Sequence, residues 1–401
     1  MLYDLMHKNT VVARIDIHES GAIDEIVSVT SPAHLPIGTT LDGILDKDEL
    51  EDWWIGRSIP ASRTGIRDFL EISGIRDTTS MLTRSMGLSL SDQYWVKPVD
   101  QDISWERINF FDNPFSADVG NLLFGRPITG NFDFSSPDNT SDGILRKRWA
   151  IVDGKRCLIK SGNPPYYQEP FNEVIATMLM ESLGMECVHY NLEWVDRIPC
   201  SVCDDFVDRD TELVTAGRLT LNTEDNRPVS GLDKFRTQCR KLDLNVDPFL
   251  DRMALADFVM MNTDRHLGNY GLLRRADTLE WIGPAPVYDT GTSLMCKSTT
   301  EYIESIIGMS SDVPKVPSID SLGSLDWVDM DAMRGIMPAV ERMLLDAVDE
   351  VPDYGMTPGR ADALISLLNE RMDLVEKAVA PSSRPLRRTC RPSSSGGRRS
   401  S

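Results

Sequence analysis

The chain has 401 residues, 41% of them hydrophobic and 26% charged, the balance of a water-soluble globular protein with room for more than one domain. Acids outnumber bases by 62 to 42, and the formal charge of −20 argues against broad contact with nucleic acid or anionic lipid. No apolar run reaches the roughly eighteen residues of a membrane span, the first residues hold no apolar leader, and the seven cysteines are too sparse for a disulfide framework. A cytoplasmic protein without a membrane span is expected.

The first unit, residues 1–90, reads as a small α+β subdomain. Val11 to Ile17 alternates in polarity, Glu19-Ser20-Gly21 turns, and Ile23 to Val29 returns as a hairpin. Asp46 to Ile55 and Ser62 to Ile72 carry apolar residues three and four apart, which predicts two short helices.

Residues 91–207 are strand-rich. A hydroxyl-rich loop, Ser135 to Gly143, precedes a hairpin of Arg148–Val152 and Lys155–Lys160 around an Asp153-Gly154 turn. A helix follows over Pro170–Leu183, with Phe171, Val174, Ile175, Met178 and Leu179 on one face and Gly184 as its stop. His189–Val195 and Ile198–Val207 are two further strands. Cys200 and Cys203 form a lone C-x-x-C; strand alternation puts them on opposite faces, and no second pair lies nearby, so we read them as structural.

Residues 208–380 are helical, with helices at Pro248–Met261, Pro338–Val351 and from Thr357-Pro358 onward. The last carries a stripe of Ala361, Leu364, Ile365, Leu368, Met372 and Val375. Residues 381–401 hold Arg384, Arg387, Arg388, Arg391, Arg398 and Arg399 among Ser, Pro and Gly, and predict a disordered basic tail, the one segment suited to touching nucleic acid. The expected architecture is α+β, with a strand-rich lobe and a helical lobe flanking a cleft.

The densest chemistry is Asn262-Thr263-Asp264-Arg265-His266-Leu267-Gly268-Asn269, followed twenty residues later by Asp289 in Tyr288-Asp289-Thr290-Gly291. An Asp-x4-Asn loop with a downstream Asp-x-Gly is the layout of phosphoryl transfer: one carboxylate takes the acceptor hydroxyl's proton, and an amide oxygen and a second carboxylate are hard ligands for Mg²⁺. Lys160 ends a strand and Glu173 lies in the next helix, the order needed for a lysine on the nucleotide phosphates held by a helix glutamate. Thr140, Ser141 and Gly143 lie in the loop ahead, where hydroxyls and backbone N–H groups suit phosphate. His266 is expected to hydrogen-bond within the loop and orient Asp264. Arg265 has two readings, a plain salt bridge or contact with a phosphorylated group.

These pieces together resemble the HipA-like family of bacterial serine/threonine kinases, a divergent protein-kinase fold. The resemblance rests on Asn262 to Asn269, Tyr288-Asp289-x-Gly291, Leu158-Ile159-Lys160 and Pro170-Phe171-Asn172-Glu173, within roughly residues 90–350. It implies ATP and Mg²⁺ as cofactors, Asp264 as catalytic base, Asn269 and Asp289 on the metal, and Lys160 on the ATP phosphates. It also implies a hinge at Asp204, Asp205, Phe206 and Val207 that reads adenine through its backbone. The substrate would be a protein with a serine or threonine acceptor, and family toxins act beside a DNA-binding antitoxin. The sequence departs from ordinary protein kinases in having Tyr-Asp-x-Gly in place of Asp-Phe-Gly and in its glycine-poor phosphate loop. Ser135, Ser136, Thr140 and Ser141 are also candidates for autophosphorylation, which would place charge where ATP phosphates sit. A small-molecule phosphotransferase on the same fold and a silent regulatory or DNA-associated protein are the alternatives.

Overall fold

The structure is a computed structural model, and it describes residues 1–127, 132–221, 229–309, 313–350 and 355–379. The expected basic tail at 381–401 lies outside the described residues, as does Val351 at the end of one expected helix.

Strands β1 (Leu2–His7), β2 (Thr10–Ile17) and β3 (Ile23–Val29) form the expected hairpin and extend it. A two-residue ribbon, β4 (Thr40–Leu41) with β5 (Ile44–Leu45), leads into α1 (Lys47–Ile55). Asp46 caps α1 by accepting from the N–H groups of Asp48 and Glu49 at 3.0 and 3.1 Å. Helix α2 (Ile66–Ser73) starts later than the apolar spacing predicts. Gly65 has φ +89°, a left-handed conformation that a helix interior excludes, so Ser62 to Thr64 stay in the preceding turn. After α3 (Thr79–Arg84) comes β6 (Tyr94–Pro98), which pairs with β1 and completes a sheet of order β3-β2-β1-β6. The first sheet therefore takes its last strand from beyond the expected boundary at residue 90. Its core holds Leu5, Val12, Ile15, Trp54 and Val96, all 1% exposed or less.

Helix α4 (Asp118–Leu123) precedes the hairpin of β7 (Lys147–Val152) and β8 (Lys155–Ser161). Asp153 and Gly154 both have positive φ, +49° and +81°, as a two-residue hairpin turn requires. Helix α5 (Glu169–Ser182) runs next, then β9 (Tyr190–Val195) and β10 (Ile198–Asp204), giving a sheet of order β7-β8-β10-β9. The apolar stripe predicted for α5 understates its burial. Phe171, Ile175 and Leu179 pack into the main core while Val174 joins a second cluster with Val188, Tyr190 and Cys203. Gly184, at φ +62°, ends the helix in a Schellman motif, with Met185 N–H bonded to Met180 C=O and Gly184 N–H to Glu181 C=O.

Strand β11 (Thr211–Thr215) pairs with β12 (Gly271–Arg275), and β12 with β13 (Trp281–Pro284), across helices α6 (Ala216–Thr220), α7 (Gly231–Lys241) and α8 (Asp247–Met260). Helices α9 (Thr300–Ile306), α10 (Met330–Gly335), α11 (Met337–Glu350) and α12 (Pro358–Val379) complete the described chain. On α12, Ala361, Leu364, Leu368, Met372 and Val375 are fully buried, as their spacing predicts, where the helix packs against α8, α9 and α11, while Ile365 packs at the margin. No helix among the described residues is long and apolar enough to cross a membrane.

Candidate active site

The loop after α8 begins at Met261, whose left-handed φ of +49° turns the chain sharply out of the helix. Asn262 is fully buried; its amide donates to Asp257 Oδ1 at 2.8 Å, and its Oδ1 accepts the Asp264 N–H at 3.0 Å. Arg265 grips Asp257 with Nε and Nη2, each at 2.9 Å, and both side chains are under 9% exposed. Its Nη1 donates to the carbonyls of Asn269 and Tyr288, each at 2.7 Å. Arg265 is thus a buried salt bridge that ties the loop to α8 and to the Tyr288-Asp289 segment. Nearby anions, Asp257 first, hold its guanidinium charged against the cost of burial.

That scaffold leaves the predicted catalytic atoms open. Asn269 spends its Nδ2 on the Asp264 carbonyl at 2.9 Å, so the amide oxygen is left as an acceptor. The half-buried Asp264 carboxylate has no protein partner among the described residues. His266 is exposed, and its Nδ1 accepts the Gly268 N–H at 3.0 Å. It shapes the turn through that bond; its ring makes no bond to the Asp264 carboxylate.

Asp289 arrives through a bridge between Val287 and Cys187 and adopts φ +56°, a strained choice for aspartate. Its Oδ1 lies 3.2 Å from Lys160 Nζ, and Lys160 also donates to Glu173 Oε1. The Ser201 hydroxyl in turn donates to Glu173 Oε2. Burial disfavours the Lys160 ammonium, but Asp289 and Glu173 outweigh it and raise its pKa well above the ordinary value. Burial likewise opposes the Asp289 carboxylate, and the charges of Lys160 and Lys147 overcome it, so that its pKa falls to about 2. The expected lysine–glutamate pair is formed, and it extends to the expected metal aspartate.

Lys147 is a site residue that the sequence did not mark. It stands opposite Lys160 in the β7–β8 register and makes no hydrogen bond or ion pair among the described residues. Burial, then the charge of Arg63, pulls its pKa down to about 8. A Cβ on Gly143 would sit 2.7 Å from its Nζ, so the loop ahead of β7 approaches this lysine closely at a residue with φ +94°.

The predicted phosphate loop is more enclosed than its composition suggests. Residues Pro137–Thr140 form one turn of 3₁₀ helix. The Thr140 hydroxyl donates to the Leu88 carbonyl at 2.8 Å and the Ser141 hydroxyl to the Asp138 carbonyl at 2.9 Å. Ser136 and Ser141 are buried, and of the four hydroxyls only Ser135 is fully exposed. Neither the Thr140 nor the Ser141 hydroxyl is thus spare for a phosphate. Gly143 and Lys147 supply the loop's approach to the site.

At the predicted hinge, Asp204 pairs with Lys155 at 2.5 Å and the Val207 N–H is taken by Asp205 Oδ1 at 3.1 Å. The other oxygen of Asp205 is buried without a partner among the described residues, and burial pushes its pKa well above the usual carboxylate range. The Phe206 ring stacks on Tyr288 with centroids 5.4 Å apart. A cavity of about 400 Å³ adjoins the hinge and is lined by Asp204, Asp205, Phe206, His189 and Pro286; Lys160, Asp264 and Asp289 lie outside it. Cys200 and Cys203 pack into separate clusters on the two faces of β10, as alternation predicts.

The residues suit the two groups expected here. One carboxylate held ionised, one amide oxygen left free and two lysines at one point form a hard-oxygen, cation-flanked donor set, apt for Mg²⁺ and a polyphosphate.

No family model and no curated protein matches the sequence. Among solved structures, the chain is similar to HipA of the Shewanella oneidensis MR-1 toxin–antitoxin system, solved with HipB and operator DNA, at 13% identity. The match covers 94% of this chain and 97% of that one with a TM-score of 0.53. It also matches the Helicobacter pylori proinflammatory kinase CtkA at 20% identity over 58% of this chain and 94% of that one, with a TM-score of 0.41. The first match shows a HipA-like kinase fold.

Proposed function

We propose that this chain is an ATP-dependent kinase that transfers the γ-phosphoryl group to a serine or threonine hydroxyl of a protein, acting in the cytoplasm on a two-lobed kinase-like fold. The observation that carries the reading is the shared lysine: Lys160 bridges Glu173 and Asp289 while the Asp264 carboxylate has no partner among the described residues. A buried ion pair that also reaches a half-exposed aspartate is costly to build for stability alone.

In this reading Asp264 accepts the proton of the acceptor hydroxyl, and the Asn262 and Arg265 bonds hold its loop in place. Lys160 and Lys147 set positive charge where the phosphates lie. Asp289 and Asn269 would hold Mg²⁺, which when bound neutralises charge on the phosphates and aligns them for transfer. The hinge at 204–206 would read adenine through its backbone, with Phe206 and Tyr288 as the apolar wall. Most of the rate then comes from positioning and fixed charge. The likeness to HipA, solved with HipB and operator DNA, supports a DNA-binding antitoxin-type partner for this chain as well.

The test is transfer from γ-³²P-ATP with Mg²⁺, wild type against Asp264→Ala, with protein acceptors and with small alcohols and amines. Label on protein from the wild type alone supports the reading. Label only on small acceptors moves the substrate to a metabolite, and no label with no nucleotide binding overturns it.

A further inference from the structure

The phosphate loop is not held by its own sheet alone. Arg63, in the turn ahead of α2, is 2% exposed, yet it belongs to a segment 78 residues from its partner. Its Nε donates to the Gly143 carbonyl at 3.0 Å, its Nη1 to the Ser141 hydroxyl at 2.6 Å and its Nη2 to the Ser141 carbonyl. The next residue adds a backbone bond, Thr64 N–H to the Ile144 carbonyl at 3.0 Å. Gly65 then lets the chain pass close to α4, since a Cβ there would lie 2.9 Å from the Leu123 carbonyl. All the acceptors on the loop are neutral, so nothing cancels the guanidinium charge by direct contact. The loop's one buried acid, Asp138, bonds instead to the Ser136 hydroxyl and the Trp149 N–H, at 3.0 and 2.9 Å.

A structural arginine buried in this way would ordinarily pair with a carboxylate, as Arg265 does with Asp257. Arg63 instead grips Ser141 and Gly143, in the loop that leads to Lys147. We infer that Arg63 is a positioning residue for the nucleotide: it fixes residues 141–143 so that the loop meets the phosphates beside Lys147 already ordered, without touching the nucleotide itself. The inference rests on the kinase reading for its ligand but on this geometry for its mechanism. It makes the N-terminal segment part of the nucleotide site, although every residue predicted for that site lies beyond residue 139.

Two measurements on the full chain separate the outcomes. The first is binding of a fluorescent ATP analogue with Mg²⁺, with kcat and KM for ATP. Arg63→Met should weaken nucleotide binding and raise KM about tenfold or more, as loss of charge-assisted hydrogen bonds implies, with kcat at saturating ATP within about threefold. Arg63→Lys should recover part of the loss, and the effect of Arg63→Met should shrink in a Ser141→Ala background. Unchanged binding in a folded Arg63→Met protein overturns the inference. The second is amide hydrogen exchange without nucleotide. Exchange at residues 138–143 should rise in Arg63→Met while α12 is unaffected, and no rise overturns the clamp. Should Arg63→Met fail to fold, Ser141→Ala carries the same two readouts at smaller amplitude, and wild-type behaviour there overturns the inference. A wild type that binds no nucleotide defeats the kinase reading, and the exchange measurement still decides the clamp.

Discussion

The two sides of the site are held in opposite ways. On one side, Asp264, Asn269 and the Arg265–Asp257 pair that frames them fall within thirteen consecutive residues, 257–269. On the other, Lys160, Lys147 and the loop before β7 depend on distant partners: Glu173 and Asp289 for the one lysine, Arg63 for the loop. The first side is a frame whose loss should cost the fold. The second is an assembly whose loss should cost the ligand first.

The sharpest break is at the reacting atoms. Asp264→Ala and Asp289→Ala should each lower phosphoryl transfer by about a thousandfold or more; Asp264→Ala should leave thermal unfolding near wild type, whereas Asp289→Ala takes a partner from buried Lys160 and should also lower stability. Transfer at wild-type rate in either variant would falsify the assignment. Next comes the frame. Arg265→Ala strands Asp257 in a buried site and should cost about 3–5 kcal/mol in urea unfolding, with little rescue by lysine, which cannot reproduce the paired fork. A comparable loss of stability in Arg63→Met would erase the contrast between the two sides.

A third prediction concerns pH. Asp138 is fully buried, and burial, only partly offset by its bonds to Trp149 and Ser136, raises its pKa from an ordinary 3.8 to about 6. The folded chain therefore keeps a proton that the unfolded chain releases first. The contribution of Asp138 to stability should fall as pH rises from about 4 to about 6 and then level off. Asp138→Asn should remove that slope, so that its stability relative to wild type improves by on the order of 2 kcal/mol between pH 4 and pH 7. Parallel unfolding curves for the two proteins across that range would contradict it. The smallest effect is at His266: among the described residues its exposed ring bonds only to Gly268, and His266→Ala should change kcat by no more than about twofold. A larger loss would return the ring to the chemistry.

This asymmetry also decides what could be read from the sequence. The Asp264 loop was legible because its chemistry needs fixed residue types at short spacing. The Lys160–Glu173 pair was legible because strand and helix follow each other directly. Lys147 was not, since it is one of three basic residues in Arg146-Lys147-Arg148 and only the β7–β8 register sets it opposite Lys160. Asp257 sits in a helix that reads as apolar core, so its carboxylate looked incidental until Arg265 was found on it. The Ser135–Gly143 loop was recognised by composition, but composition does not say that its hydroxyls face inward. Strand β6 escaped the first unit because its partner β1 is some ninety residues away and pairing register leaves no local mark.

One feature of α5 bears on control. Asn172, beside Glu173, donates to the carbonyls of Gly291 and Ser293 at 2.8 and 2.7 Å, and Gln168 donates to the Leu294 carbonyl and accepts from the buried Arg360 of α12. The helix that carries Glu173 and the segment that follows Asp289 are thereby one rigid piece, pinned from behind by the last described helix. Swinging this helix outward to break the Lys160–Glu173 pair would strip several buried carbonyls and a buried guanidinium of their partners at once. A chain built this way has no inexpensive resting posture in that helix, so under the kinase reading restraint on the proposed activity would come from elsewhere than a swing of α5.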